Sequence, residues 1–220
     1  MTSLVSEEAV LHADIAWLGD LPQHWTVQRA KSLFRLEHRP VLESDETVTC
    51  FRDGQVTLRR NRRISGFTEA TAFDGYQGVE PGDLVIHQMD GFAGAIGVSE
   101  SRGRCSPVYA ICVPRRNAFP EYYARVLRYM AQRGWIAALS KGIRERSTDF
   151  RYPTFAKQWL PVPPAQEQHL MVRYLEHAEL RICQRSSNPA VFLSAVQVIQ
   201  HPDVQVIPHF RGRGSTTWAP

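Results

Sequence analysis

The sequence predicts an α+β domain, a twisted and mainly antiparallel sheet with helices packed on it, followed by a C-terminal helix. Three observations predict it. From Thr47 to Val113, short β-rich runs alternate with glycine turns, and no connection is long enough for the crossover helix that parallel strands need. Residues 120–133 carry the start and stop signals of a helix. Residues 161–182, "PVPPAQEQHLMVRYLEHAELRI", are a proline-stiffened approach to an amphipathic helix of about five turns.

Residues 1–15 are polar and acidic with little periodicity, which predicts a loosely ordered N-terminus. "WLGDLPQHWTVQRAKSLF" follows, with Trp17, Leu18, Leu21, Trp25 and Val27 grouped around a Gly-Asp and a Pro turn, as a clip that anchors the N-terminus would be. The strand candidates are "TVTCF", "QVTLRR", "GDLVIHQM", "AIGVS" and "VYAICV". Seven of the chain's 14 glycines fall between 74 and 105, in the turns that bound these runs. "PEYYARVLRYMAQR" opens on Pro120 and Glu121 and stops at Gly134, with Val126, Leu127 and Met130 as its expected buried stripe. In the last helix Glu167 falls in the first turn, where it favours the helix dipole. Met171, Leu175, Ala178 and Ile182 recur at intervals of four, three and four, a seam that asks for a partner helix. Beyond Arg185, Pro189, Pro202 and Pro208 keep the helix from running far.

Length and charge bound the function. A chain of 220 residues can bury its own core, and Cys50, Cys105, Cys112 and Cys183 form no CxxC, so neither a zinc knuckle nor a disulfide framework is expected. Residues 1–24 hold four acids and no Lys or Arg, which does not fit a signal peptide. No apolar run approaches the ~20 residues that span a bilayer. A soluble, cytoplasmic protein is the expectation. The remainder carries 26 basic against 18 acidic residues, a net of +8, and 23 of the basic residues are Arg. Planar guanidinium forks suit phosphate and guanine, although a GC-rich coding bias would produce the same excess.

Catalytic motifs are missing. "GFAGAIG", residues 91–97, is neither GxGxxG nor GxxxxGK[ST] and reads as a β-turn with close backbone packing. The histidines give no HExxH; His169 and His177, eight apart, read as surface or seam positions. Glu145 and Asp149 lie among arginines as salt-bridge partners. Two basic clusters remain. "RRNRR" places Arg59, Arg60, Arg62 and Arg63 on a hairpin-like stretch able to meet phosphates or a guanine edge, or else to stand as a solvated loop. "SKGIRERSTDFR" offers Lys141, Arg144, Arg146 and Arg151 beside Ser147 and Thr148, unless its charges pair internally. Gln88, on the strand before the glycine turn, is a candidate reader of base edges. These residues predict duplex DNA as a partner.

The order of these features matches a family. "WLGDLPQHWTVQRAKSLF", "PGDLVIHQMDGFAGAIGVS", "SPVYAICVPR" and "SKGIRERSTDF" leading to "LPVPPAQEQHLMVRYL" together resemble the target-recognition half of the specificity subunit of type I restriction-modification systems, over about residues 16–182. The resemblance implies a DNA target-recognition domain at 16–163, the start of a coiled-coil spacer helix at 164–184, and a tail at 185–220 outside the family pattern. It implies no catalytic site and no cofactor in this chain. S-adenosylmethionine, ATP and Mg belong to the partners it implies, an adenine methyltransferase subunit and a restriction or translocase subunit. Subunits of the family are roughly twice as long. A homodimer through Met171, Leu175, Ala178 and Ile182, reading an inverted repeat, is therefore a further expectation. Two alternatives stay open at this point: a small stand-alone nucleic-acid-modifying enzyme, and a truncated, non-functional remnant.

Overall fold

The computed structural model describes residues 17, 19–62, 75–115, 118–139 and 149–185, with side chains to 182. The expectations for 1–15 and for the tail from 186 onward lie outside them.

Ten strands and five α-helices are described, with 3-10 turns at Arg59–Asn61 and Gly91–Ala93: β1 (Thr26–Arg29), α1 (Ala30–Leu33), β2 (Phe34–Glu37), β3 (Val48–Cys50), β4 (Val56–Leu58), β5 (Gln77–Val79), β6 (Leu84–His87), β7 (Ile96–Val98), β8 (Gly103–Cys105), β9 (Tyr109–Pro114), α2 (Pro120–Gln132), α3 (Trp135–Leu139), α4 (Tyr152–Ala156), β10 (Trp159–Val162) and α5 (Ala165–Arg185). The central sheet has the order β2-β9-β6-β7. Three two-stranded ribbons, β3-β4, β5-β8 and β1-β10, surround it, and every pairing between these strands is antiparallel.

The alternation of side chains along the central strands divides the core in two. Leu84 and Ile86 of β6 and Ala110 and Cys112 of β9 face Tyr123, Leu127 and Met130 of α2. Val85 and Ile111, one residue out of phase, face Val48, Cys50 and Val56 of the β3-β4 ribbon. Both faces of the sheet are covered, so "LVIH" and "YAICV" read as continuous apolar runs rather than as alternating ones. Leu127 and Met130 are fully buried as expected, whereas Val126 is only partly so; Tyr122, Tyr123 and Ala124 complete the buried face of α2. Burying a side chain such as Leu127 contributes about 2 kcal/mol.

Two chain segments far apart in sequence close the globule. β1 pairs with β10 from Thr26 opposite Val162 to Arg29 opposite Trp159, and the Arg29 guanidinium lies 4.1 Å from the centroid of the Trp159 ring. Pro161 sits inside β10, which a two-stranded ribbon tolerates because one side of each strand is unpaired. Just ahead of β1, Trp25 Nε1 donates to Glu167 Oε2 at 2.9 Å and His24 Nε2 lies 2.8 Å from Glu167 Oε1. The next residue, Gln168, is fully buried. Its amide accepts the Phe119 N–H at 3.0 Å, at the start of α2, and donates to the Pro163 carbonyl at 2.9 Å. Trp17 is buried with its ring 6.2 Å from that of Tyr129. The two sequence stretches "PQHW" and "PPAQEQ" are thus halves of one hydrogen-bonded clip.

The described chain forms two compact units that divide at Arg173 and Tyr174. In α5, Met171, Leu175, Ala178 and Ile182 are all partly buried, while Leu170, Tyr174 and Leu180 are exposed. No described helix is long and apolar enough to cross a membrane.

Candidate functional site

The candidate site is built on the turn that joins β3 to β4. "FRDG" between two β-rich runs is a hairpin sequence, and Gly54 supplies the left-handed residue with φ +88°. The turn closes through Phe51 N–H to the Gln55 carbonyl and Gly54 N–H to the Phe51 carbonyl, both 2.9 Å. Asp53 Oδ1 accepts the Gln55 N–H at 3.1 Å, so its carboxylate is fixed by the turn itself.

"GFAGAIG" explains where the turn rests. A Cβ at Gly94 would stand 2.7 Å from the Arg52 carbonyl oxygen, and one at Gly97 would collide with the Gly54 carbonyl. The glycines spaced three apart are the seat on which the β3-β4 turn lies, and Gly94 also takes φ +92°. The close backbone packing expected of this stretch is therefore observed, with its reason.

This seating brings charged groups of separate elements together. Arg62 lies 4.4 Å from the centroid of the Phe51 ring and donates to Asp53 Oδ2 at 2.6 Å. Arg52 donates to Asp90 Oδ1 at 3.0 Å. The Asp90 N–H donates to His87 Nδ1 at 3.0 Å, and the His87 ring meets Tyr109 edge-on at 4.7 Å. Burial lowers the His87 pKa, which keeps the ring neutral and its Nδ1 an acceptor. Gln88 is held through its backbone, donating to the Val108 carbonyl and accepting from Phe150 N–H at 3.0 Å. Arg151 follows Phe150 and donates to Asp149 at 2.7 Å. Met89, next to Gln88, is 49% exposed.

The proposed DNA-facing residues are distributed as follows. Arg62 comes to the turn through Phe51 and Asp53, and Gln88 and Arg151 lie near each other through the hydrogen bond from the Phe150 N–H to the Gln88 carbonyl. Arg59–Asn61 form a 3-10 turn after β4 rather than a continuing strand. Arg59 Nε donates to Thr49 Oγ1 at 3.3 Å, and Arg60 reaches Glu46 at 2.6 Å on the far side of the ribbon. Arg63, Lys141, Arg144 and Arg146 lie outside the described residues, as do Glu145, Ser147 and Thr148. Sequence reasoning passed over Arg52, Asp53, Asp90 and Met89. "FRDGQ" held the hairpin signal that would have found the first two.

Nucleophile chemistry finds no purchase on the described cysteines. Burial raises the thiols of Cys50 and Cys112 far above their usual range and pushes Cys105 up to about 12, so all three stay protonated at neutral pH. Among the described residues no group of His, Cys, Asp and Glu could hold a metal ion. The acids Asp45 and Asp83 are buried and committed to structure: Asp83 takes Arg39 through two hydrogen bonds, at 2.5 and 3.1 Å, and Asp45 takes Arg102 at 3.1 Å.

No protein-family model matches the sequence, and no curated protein is significantly similar to it. Solved structures do match by fold. The HsdS subunit from Thermoanaerobacter tengcongensis superposes with a TM-score of 0.53 at 16% identity, over 88% of this chain and 48% of that one. A chain from a study of complex assembly and conformational transition of the type I R-M system superposes with a TM-score of 0.54 at 15% identity, over 88% of this chain and 49% of its own. The chain therefore spans about half the length of the structures it matches. Mixed helices and antiparallel sheets in this arrangement are the fold that this chain shares with the matched half of the HsdS subunit.

Proposed function

We propose that the chain is a sequence-specific DNA-recognition component of a type I restriction-modification complex, non-catalytic itself, and that it directs methylation and cleavage carried out by partner subunits. The observation that carries this reading is the arginine-bearing turn surface on a fold shared with specificity subunits. Arg52 and Arg62 stand on that turn, and Gln88, Arg151, Arg63, Lys141, Arg144 and Arg146 are proposed to add to the same interface. Arg59 and Arg60 are proposed as more peripheral phosphate contacts. The adenine methyltransferase subunit is the expected direct partner, with S-adenosylmethionine bound there, and the ATP- and Mg-dependent restriction subunit is a second partner. The setting for such a complex is the cytoplasm.

The apolar face of α5 is proposed to pair as a coiled coil. Met171, Leu175, Ala178 and Ile182 form its seam, and the exposed Leu170 and Tyr174 widen it toward solvent. A second copy is the partner proposed, and two-fold symmetry would then require an inverted-repeat target.

Anisotropy titration of a labelled duplex library tests the DNA reading. Log affinity should fall against log salt with a slope of roughly −0.9 per phosphate contact, and replacing Arg63, Arg144 and Arg146 with Ala should flatten it. A chain that binds no duplex at about 50 mM salt, where the electrostatic contribution is strong, refutes it. Sedimentation of wild type against Leu175→Asp tests the pairing; monomers at every concentration, alone and with the methyltransferase, refute the dimer.

A further inference from the structure

We infer that Asp53 and Asp90 are specificity-determining residues of the turn surface: each holds one arginine against indiscriminate capture by phosphate. The inference rests on the DNA-recognition reading and deepens it.

The two ion pairs share one construction. In each, the acid is anchored by the backbone around it and the arginine is the arm that can swing. Asp53 is tied by the Gln55 N–H to its own turn, and Asp90 sits where its own N–H is fixed by His87 Nδ1. Arg52 is 68% exposed and Arg62 36%, on the rim of the same turn. Pairs this exposed contribute little to folding stability, so stability does not account for acids placed against the arginines best positioned to meet a duplex. The four residues together carry no net charge.

That neutrality sets the balance of binding. An arginine that leaves its carboxylate for a phosphate exchanges one charge-assisted hydrogen bond for another. It also leaves the carboxylate uncompensated beside the DNA backbone, where like charges repel. The sequence-independent contribution of Arg52 and Arg62 is therefore close to break-even. Only a duplex that also satisfies base-edge contacts yields a surplus. With both acids removed, the same four positions carry two positive charges, and every duplex becomes a good partner.

The experiment uses the full chain and a fluorescein-labelled duplex of random sequence, followed by anisotropy across a salt series. The variant is Asp53→Ser with Asp90→Ser; serine can still accept the hydrogen bond within the turn, and asparagine ahead of Gly54 or Gly91 would deamidate back to the acid. The double variant should bind the random duplex about tenfold more tightly, with a log–log salt slope steeper by up to ~1.8, the equivalent of two more phosphate contacts. Adding Arg52→Gln and Arg62→Gln should erase the gain. Sequencing of the duplexes each protein retains from a randomised library should show weaker enrichment for the double variant than for wild type. If wild type binds duplex and the double variant, melting normally, binds no more tightly, the inference is overturned and the acids merely orient the arginines. If no form of the protein binds any duplex, the DNA reading and the inference fall together.

Discussion

Gln168→Leu should be among the most damaging near-isosteric substitutions in the chain, and its cost follows from the clip. The side chain is fully buried and joins the N–H of Phe119, one of the donors that α2 leaves without a helical partner, to the carbonyl of Pro163. Leucine fills nearly the same volume, so little cavity forms and the loss is that of hydrogen bonds. Two backbone groups, the partly buried Phe119 N–H and the buried Pro163 carbonyl, are left unsatisfied at about 1–3 kcal/mol each, or roughly 2–6 kcal/mol together. Against a typical total of ~5–15 kcal/mol this is a large fraction. In a domain of this size a loss of ~3 kcal/mol lowers Tm by roughly 6–12 °C. Urea unfolding followed by circular dichroism measures it directly. Glu167→Gln is the control one residue away: Glu167 is 38% exposed, and its pairing with His24 and Trp25 is worth about 1 kcal/mol or less. A loss below ~0.5 kcal/mol for Gln168→Leu, or equal losses for the two variants, would refute the assignment of Gln168 as a buried bridge.

Gly97→Ala should destabilise by about 1–3 kcal/mol or more, because the new Cβ meets the rigid Gly54 carbonyl rather than a side chain that can yield; unchanged urea midpoints would show that the turn does not rest there. The same variant should weaken the protein's preference among duplexes at temperatures where it stays folded, since Arg52 and Asp53 ride on the displaced turn. His87 makes stability depend on pH in a stated direction. Its folded pKa lies below the unfolded value near 6.5, so the unfolded chain binds the extra proton first and stability falls as pH drops from about 6.5 toward the folded pKa. His87→Asn, which keeps an acceptor for the Asp90 N–H, should make the fall in Tm between neutral and acid pH shallower; an identical pH profile would refute the role.

Local pattern carried the elements whose signals are complete within a few residues. β3, β4, β6, β7 and β9 were legible because β-branched runs and glycine turns decide them locally, and α2 and α5 because proline starts and apolar spacing do. β1 and β10 were not, because "TVQR" and "WLPV" become strands only by pairing with each other. β5 and β8 are short, contain glycine, and likewise exist through their ladder. Arg62, Gln88 and Arg151 were singled out from composition and position alone. Their companions Arg52, Asp53 and Asp90 were not, since an ion pair between elements depends on which backbones touch. The backbone contact here is the seating of the Arg52–Gly54 turn on Gly94 and Gly97. In the same way Trp25 and Glu167, 142 residues apart, form one clip only after the chain has closed. The sequence by itself determined local conformation, the apolar faces and the excess of arginine, because each is a property of neighbouring residues. Only the tertiary structure decided which acid restrains which arginine, because a hydrogen bond at 2.6–3.0 Å depends on the position of both partners and on nothing either one carries alone.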